Sequence, residues 1–267
     1  MKVENKVFVV TGGGNGIGQQ VVLELLRREA RVAAADIRAD SLAGTVELAD
    51  AGDRLSTHVV DITDREAVHA LPDQVVASHH AVDATINVAG VIQPFVKLND
   101  LEYEAIERVI DINLYGTIHV VKTFLPLLLE RPVAHLANVS SMGGYLPVPG
   151  QTIYGASKAA VKLMTEGLYA ELLDTNVGVS VIFPGAIATE ITSNSGVDIP
   201  GGQQTAEESK FPTTSPEDAA RVIVDGIEND QFHIYIGRDA RLMNLANRAA
   251  PRRSTHLIYR QMKSLLS

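Results

Sequence analysis

Tyr154 and Lys158 stand four positions apart in Tyr154-Gly155-Ala156-Ser157-Lys158, at the head of the apolar run Ala159-Ala160-Val161. Four residues make roughly one helical turn, so both side chains leave the same face and a cation sits beside a phenol. A free phenol titrates near about 10, and an adjacent ammonium favours the phenolate. A tyrosine lowered in this way serves as acid and base near neutral pH. The spacing also occurs on ordinary surface helices, so the pair needs support from elsewhere in the chain. That support begins at Gly12-Gly13-Gly14-Asn15-Gly16-Ile17-Gly18, between the apolar run Val7–Thr11 and a periodic stretch through Val21, Val22, Leu25 and Leu26. Strand, glycine-rich turn and helix in that order seat a pyrophosphate on the helix N-terminus. The register, through Gly12, Gly16 and Gly18, is G-x-x-x-G-x-G, a variant of the commoner G-x-G-x-x-G dinucleotide fingerprint. Asp36 closes the next apolar run, Arg31–Asp36, where a carboxylate accepts hydrogen bonds from adenosine ribose hydroxyls and repels a 2′-phosphate. Neither Asn15 nor Ile37 offers a cation to such a phosphate, and Arg38 follows the carboxylate rather than replacing it. NAD is therefore expected over NADP; the plainer role for the glycines is a turn with no ligand.

The elements that must position these groups are legible as alternating strands and helices. Ser41 to Ala51 reads as a helix and Leu55 to Asp61 as a third strand. Asp61 and Ile62 then fall at the adenine edge, with Thr63 or Asp64 capping the following helix. Val82 to Val88 reads as a fourth strand, and the small residues of Asn87-Val88-Ala89-Gly90 let a cofactor lie close over the sheet. A long helical stretch, Tyr103 to Leu129, carries Asn113 in its interior, where asparagine is a mediocre helix former able to divert the backbone. The bland role for Asn113 is a buried polar residue bonded to a neighbouring turn. Val133 to Val139 reads as a fifth strand ending in Ser140-Ser141, and Val177 to Phe183 as a sixth, followed by Pro184-Gly185-Ala186-Ile187-Ala188-Thr189. The polar segment Thr192 to Lys210 has the length of a functional lid. Ser215-Pro216-Glu217-Asp218 opens a capped helix, and Phe232 to Ile236 is the last strand. This alternation predicts an α/β doubly wound parallel sheet with helices on both faces, whose ligands gather at the carboxyl ends of the strands.

Composition narrows the class further. The chain has 267 residues, 46% hydrophobic and 21% charged, with a net charge of −9 and no cysteine. An acidic balance argues against a nucleic-acid partner. Disulfides and thiolate metal sites are excluded, and the histidines show no ligand spacing, so no metal is expected. The chain enters an apolar strand directly after Met1-Lys2-Val3-Glu4-Asn5-Lys6, leaving no room for a secretory leader, and no run approaches 18 apolar residues. A cytoplasmic protein is the expectation. Residues 238–267 carry seven Lys or Arg against Asp239, a net of +6, which leaves −15 on the remainder. Pro251 divides this tail into two short amphipathic helices, with Leu242, Met243 and Leu245 and then Leu257, Ile258 and Met262 as apolar faces. Two readings stand open: a helix pair packed on the domain or a neighbouring subunit, or a basic surface that touches an anionic membrane or caps the substrate pocket. The expected organisation is one domain over 1–237 with the 238–267 extension packed upon it.

Taken together, T-G-x-x-x-G-x-G at Thr11–Gly18, N-x-A-G at Asn87–Gly90, Asn113, Ser141, Y-x-x-x-K at Tyr154–Lys158 and P-G at Pro184–Gly185 resemble the classical short-chain dehydrogenase/reductase family. The resemblance runs from the first strand to Ile236; Val88 departs from the family's frequent N-N-A-G and touches packing rather than chemistry. It implies a single-domain Rossmann-like fold and a catalytic tetrad of Asn113, Ser141, Tyr154 and Lys158. Tyr154 is implied to take the hydroxyl proton while nicotinamide takes the hydride. Lys158 is implied to lower the tyrosine pKa and bond the nicotinamide ribose, Ser141 to hold the substrate oxygen, and Asn113 to position a water linking Lys158 to solvent. The cofactor set it implies is Gly12, Asn15, Gly16, Ile17, Gly18, Asp36, Asp61, Ile62, Asn87, Ala89, Gly90, Tyr154, Lys158, Pro184, Gly185, Ile187 and Thr189, the last two anchoring the carboxamide. The expected reaction is reversible NAD-dependent oxidation of a secondary alcohol to a ketone. Ile92, Phe95, Met142, Leu146, Ile153 and Ile191 suggest a hydrophobic or cyclic substrate. Alternatives are a 3-oxoacyl thioester reductase and a non-catalytic cofactor-binding scaffold. By analogy with the family, copies associate as a homotetramer through the helices holding Asn113 and Tyr154.

Overall fold

The computed structural model describes residues 1–188, 191–197 and 213–266. Seven strands form one sheet: β1 (Val7–Thr11), β2 (Arg31–Asp36), β3 (Leu55–Val59), β4 (Ala84–Asn87), β5 (Ala134–Val139), β6 (Val177–Pro184) and β7 (His233–Ile236). Their spatial order is β3-β2-β1-β4-β5-β6-β7, and every pairing is parallel. The chain builds outward from β1 to β3, then returns to place β4 on the other side of β1. The carboxyl ends of β1 and β4 thus flank a switch point, where an open α/β sheet takes its ligand. This is the doubly wound, Rossmann-like architecture that the sequence predicts.

Buried parallel strands read as unbroken apolar runs because both faces are covered. On β1, Phe8 and Val10 pack with Val21, Val22, Leu25 and Leu26 of α1 (Gly16–Arg27). Behind the outer strands lies α2 (Ala39–Ala49), whose Leu42 joins the same cluster. Val7 and Val9 face the opposite layer, meeting Val68, Leu71 and Val75 of α3 (Arg65–His79). Each such side chain, fully buried, contributes about 1.5–3 kcal/mol before the entropy of ordering is subtracted. Asp64 caps α3, its carboxylate accepting from Glu66 N and Ala67 N.

The expected helix Tyr103–Leu129 is continuous but not regular. It comprises α4 (Tyr103–Ile110), a π-helical turn at Asp111–Gly116 and α5 (Thr117–Leu129). Asn113 lies inside the π turn, the backbone diversion expected of an interior asparagine. The 27 residues are long and apolar enough, by length and composition, to cross a membrane, which corrects the expectation that no stretch qualifies. Here Val120, Val121, Phe124 and Leu128 cover the sheet instead.

The Tyr154 helix is α6 (Thr152–Glu171), and a short α7 (Ile191–Ser195) occupies the start of the expected lid, the rest of which lies outside the described residues. Ser215 caps α8 (Pro216–Glu228), with Pro216 at its first turn, as the sequence motif requires. Ala219, Ala220, Ile223, Val224 and Ile227 of α8 complete the α1 layer. The tail forms α9 (Arg238–Ala249) and α10 (Pro251–Met262), divided at Pro251. Its packing face differs from the expected one. In α9 the buried residues are Ala240 and Asn244, while Leu242 and Leu245 are exposed. Polar bonds decide the orientation: Asn244 Nδ2 donates to Tyr235 Oη at 2.6 Å, Asn247 Nδ2 to Tyr145 O at 2.7 Å, and Tyr145 Oη to Ala240 O at 2.7 Å. In α10, Ile258 is buried and Leu257 exposed.

Candidate active site

The turn after β1 is built by backbone approaching backbone. Gly12 has φ +69°, and a Cβ there would lie 3.0 Å from Ala89 N. A Cβ on Gly18 would lie 2.0 Å from Gly12 O. These glycines press the start of α1 against its own turn and against the loop leaving β4. Thr11 Oγ1 fastens that loop by accepting from Val88 N at 3.1 Å and Ala89 N at 3.3 Å. Asn15 caps α1, its Oδ1 accepting from Gly16 N at 2.6 Å, and its Nδ2 donates to Asn194 Oδ1 on α7 at 3.3 Å.

At the end of β2 the Asp36 carboxylate is held by two backbone donors, Gly14 N at 3.0 Å and Arg38 N at 3.1 Å. Asp61 accepts from Thr63 N at 2.8 Å and Thr63 Oγ1 at 2.7 Å. Ile62 is wedged against Gly116, where a Cβ would come within 2.6 Å of it, so the π turn and the β3 loop seat one another.

One cleft of about 680 Å³ runs from Asp36, Ile37 and Arg38 across the glycine turn to Ser141, Tyr154 and Lys158. It is lined by Gly12, Asn15, Gly16, Ile17, Gly18, Asp36, Asp61, Ile62, Ala89, Gly90, Pro184, Gly185 and Ile187 among the predicted cofactor residues. Gly12 and Tyr154, 142 positions apart in the chain, are thus brought to one wall system by the strand ends. Thr189 lies outside the described residues. Asn87 and Asn113 stand behind the lining. Asn87 Nδ2 donates across the strands to Asn138 Oδ1 at 2.7 Å, which ties β4 to β5. Asn113 clamps the β4 loop: its Oδ1 accepts from Val91 N at 2.8 Å, and its Nδ2 donates to Val91 O at 2.9 Å and to Ser157 Oγ at 3.0 Å. Both amide hydrogens are spent, so only a second lone pair on Oδ1 remains for the water assigned to it.

Ser141 Oγ accepts from Gly143 N at 3.0 Å, which leaves its hydroxyl hydrogen for an oxygen in the cleft. That hydroxyl lies beside the Tyr154 phenol and favours its charged form. Burial pushes the phenol above its ordinary value, and Ser141 pulls it back only in part. This differs from the expectation that Lys158 lowers it. The reason is burial, which acts on both groups: it raises the phenol and pushes the ammonium, whose Nζ donates to Val139 O at 3.0 Å, down to about 8. Gly90 makes room for this arrangement, since a Cβ there would lie 3.0 Å from Lys158 Nζ and 3.1 Å from Asn113 Oδ1. Ser140, the other serine of the pair, is buried and donates to Lys158 O at 2.7 Å, fixing α6 to the end of β5.

Of the expected substrate residues, Ile92 and Ile191 line the cleft, whereas Phe95, Met142, Leu146 and Ile153 do not. Several lining residues carried no local signal. Arg108, on α4, donates to Ser195 O at 2.8 Å, and Ser195 Oγ accepts from Ile92 N at 3.0 Å. These contacts latch α7 over the cleft, and each joins residues remote in sequence.

Comparison with known proteins agrees with this geometry. A family model described as short chain dehydrogenase matches residues 6–199. A Mycobacterium tuberculosis protein named as an oxidoreductase, SadH, is 37% identical over 251 residues, covering 92% of this chain and 91% of its own. A Streptomyces avermitilis 1-deoxy-11-beta-hydroxypentalenate dehydrogenase is 34% identical over 244 residues, covering 90% of this chain and 87% of its own. Among solved structures, a short chain dehydrogenase/reductase from Burkholderia phymatum in complex with NAD superposes with a TM-score of 0.83 at 26% identity, covering 96% of each chain. A short chain dehydrogenase from Burkholderia cenocepacia in complex with NADP superposes with a TM-score of 0.79 at 27% identity, covering 96% of this chain and 98% of that one.

Proposed function

The chain belongs to the short-chain dehydrogenase family, and from that premise we propose that it is an NAD-dependent dehydrogenase of a secondary alcohol, hydrophobic or cyclic, working reversibly on the ketone. The observation that carries this reading is the shared cleft, with Ser141, Tyr154 and Lys158 at one end and the Asp36 carboxylate at the other. The residues present fit a dinucleotide: Gly12, Gly16 and Gly18 line the cleft at the start of α1, where a phosphate would meet backbone N–H groups, and Asp36, held by two backbone N–H groups, stands where a ribose would lie. When bound, NAD supplies the hydride acceptor.

The chain's own residues handle the proton and the substrate oxygen. The Ser141 hydroxyl hydrogen, left unspent by the Gly143 contact, donates to the substrate oxygen and stabilises charge growing there. The Tyr154 phenolate takes the alcohol proton, and in the reverse direction the phenol returns it. Lys158 supplies a positive charge one helical turn away. Its ammonium, held near its own titration point by burial, is also poised to pass a proton onward. Ile92 and Ile191 offer apolar contact, which supports a hydrophobic alcohol. The relative named as a 1-deoxy-11-beta-hydroxypentalenate dehydrogenase supports an alcohol substrate.

A second reading, reduction of a 3-oxoacyl thioester with NADPH, draws on Arg38 at the Asp36 end of the cleft and on the NADP-bound neighbour. Initial rates followed by reduced-nicotinamide absorbance, with NAD and NADP against secondary alcohols from small aliphatic to polycyclic, separate the two. We expect NAD-linked oxidation that Tyr154→Phe lowers by about 10²–10⁴-fold with NAD binding retained. A tenfold preference for NADPH on thioesters would favour the second reading. Undiminished cellular function of Tyr154→Phe would leave only a cofactor-binding scaffold.

A further inference from the structure

Gln93 lies three residues beyond Gly90 and is completely buried. Its Oε1 accepts from Ile153 N at 2.7 Å and from Tyr154 N at 3.0 Å. Its backbone oxygen accepts from Gln151 Nε2 at 2.7 Å. Both amide orientations are fixed by their partners, since only an oxygen can face two N–H groups and only a nitrogen can face a carbonyl. The remaining atoms, Gln93 Nε2 and Gln151 Oε1, are buried without a hydrogen-bond partner among the described residues. A buried amide that uses half its capacity is a costly way to fill space that a methionine or leucine would fill without polar atoms. The half it uses is directed at the N–H of Tyr154.

Helix α6 has no side-chain cap of its own at Gln151. The first N–H groups of a helix need acceptors, and an acceptor there fixes the first turn. For α6 that acceptor arrives from 60 residues upstream, on the loop that leaves β4. The residue before it, Ile92, lines the cleft and donates its N–H to Ser195 of α7. One short segment therefore touches the cofactor side of the cleft, the latch of α7 and the backbone of the residue that takes the proton.

We propose that Gln93 is a positioning residue for Tyr154, an in-trans cap that sets the first turn of α6 and so holds the phenol against the Ser141 hydroxyl. This rests on the proposed dehydrogenase reading, in which Tyr154 is the proton acceptor. Gln93 touches neither substrate nor cofactor in this role. It acts through the backbone of Ile153 and Tyr154.

Two substitutions separate positioning from bulk stability. Gln93→Met keeps the volume and removes the acceptor; Gln93→Glu keeps an acceptor oxygen at the same reach. With the most active alcohol of the panel, Gln93→Met is expected to lower kcat by about 10- to 100-fold. KM for NAD should stay within about twofold, and kcat is taken per folded protein, because the Ile153 and Tyr154 N–H groups lose their acceptor and the thermal midpoint falls with them. Gln93→Glu should recover most of kcat. A substrate-free readout is the tyrosinate ultraviolet absorbance of each variant minus that of its Tyr154→Phe counterpart, which isolates one phenol. Its midpoint should rise in Gln93→Met as the Ser141 contact that pulls the phenol down is weakened. Unchanged kcat and an unchanged Tyr154 midpoint in Gln93→Met would overturn the proposal, as would a loss of kcat matched by a loss of folded protein and not restored by Gln93→Glu. If wild type turns over no alcohol and the Tyr154 midpoint still moves, the dehydrogenase reading fails and the positioning role stands.

Discussion

Replacing Lys158 by methionine should stabilise the cofactor-free protein at neutral pH and lose that advantage at high pH. Burial lowers the Lys158 ammonium from 10.5 to about 8. Between those values the unfolded chain binds a proton that the native state does not, so stability contributed by this group rises with pH through that window. At pH 7 both states are protonated and the full cost, roughly 3 kcal/mol, is borne by the native state; near pH 10 less than about 1 kcal/mol of it remains. Methionine fills a similar volume and carries no such cost. It also forfeits the 3.0 Å bond from Nζ to Val139 O, worth about 1 kcal/mol net. The balance is a gain of about 2 kcal/mol for Lys158→Met at pH 7 that vanishes or reverses by pH 10. Urea unfolding of both proteins without cofactor, at pH 7 and at pH 10, gives the two differences directly, and other titrating groups cancel between them. A difference that is the same at both pH values would show that Lys158 is not held in a strained charge state, and the reasoning about the site's proton supply would go with it. Loss of alcohol oxidation in the stabilised variant would be the expected counterpart, since sites kept ready for chemistry are commonly paid for in stability.

Two further outcomes follow from named groups. Asp36→Ala removes the carboxylate aimed by Gly14 N and Arg38 N, leaves Arg38 at the cleft, and should narrow the ratio of kcat/KM for NAD over NADP by tenfold or more, about 1.4 kcal/mol; an unchanged ratio would mean that Asp36 does not set cofactor choice. His135, buried in β5 with its Nε2 2.9 Å from Ser180 Oγ, is pushed from 6.5 to about 3 by burial. The Asp230 carboxylate 3.8 Å away is 73% exposed and too screened to offset that. Below pH 6.5 the unfolded chain takes a proton that native His135 refuses until about pH 3, so stability falls with pH by up to about 1.4 kcal/mol per unit. His135→Gln should flatten the wild-type decline between pH 6.5 and 4.5 in chemical unfolding, and parallel profiles would count against this origin for acid sensitivity.

What the sequence makes legible is what short range decides. The strands announce themselves because a parallel strand buried on both faces needs an unbroken apolar run, and Val7–Thr11 and Arg31–Asp36 are matched residue for residue by β1 and β2. The glycine turn is equally local, since the close approach of Gly18 to Gly12 O tolerates no side chain. Strand ends are less so. Asp61 and Val88 fall outside β3 and β4 because their backbone groups leave the ladder, Asp61 O accepting from Asp64 N and Val88 N donating to Thr11 Oγ1. In α9 the apolar spacing of Leu242 and Leu245 points to the wrong face, because two asparagines and a distant tyrosine fix the helix by hydrogen bonds.

The same distinction applies inside the cleft, where residue types predict capability but not the state of charge. A phenol and an ammonium one turn apart suggest a lowered tyrosine, as they would on an exposed helix. Here desolvation acts on both groups at once, raising Tyr154 and lowering Lys158, and the lysine's contact is a carbonyl of β5. Burial of that depth is set by the layers that meet at the strand ends, which no window around residue 154 contains. The support for Tyr154 is likewise remote: Ser141 arrives from β5, Gln93 from β4, and Asn113 holds the β4 loop from within the π turn. These contacts join the helix of the acid–base pair to the ends of β4 and β5, so a displacement of either end reaches the phenol. Substitutions behind the cleft at Asn113 should therefore lower turnover more than they weaken cofactor binding, because the clamp they break holds geometry rather than ligand.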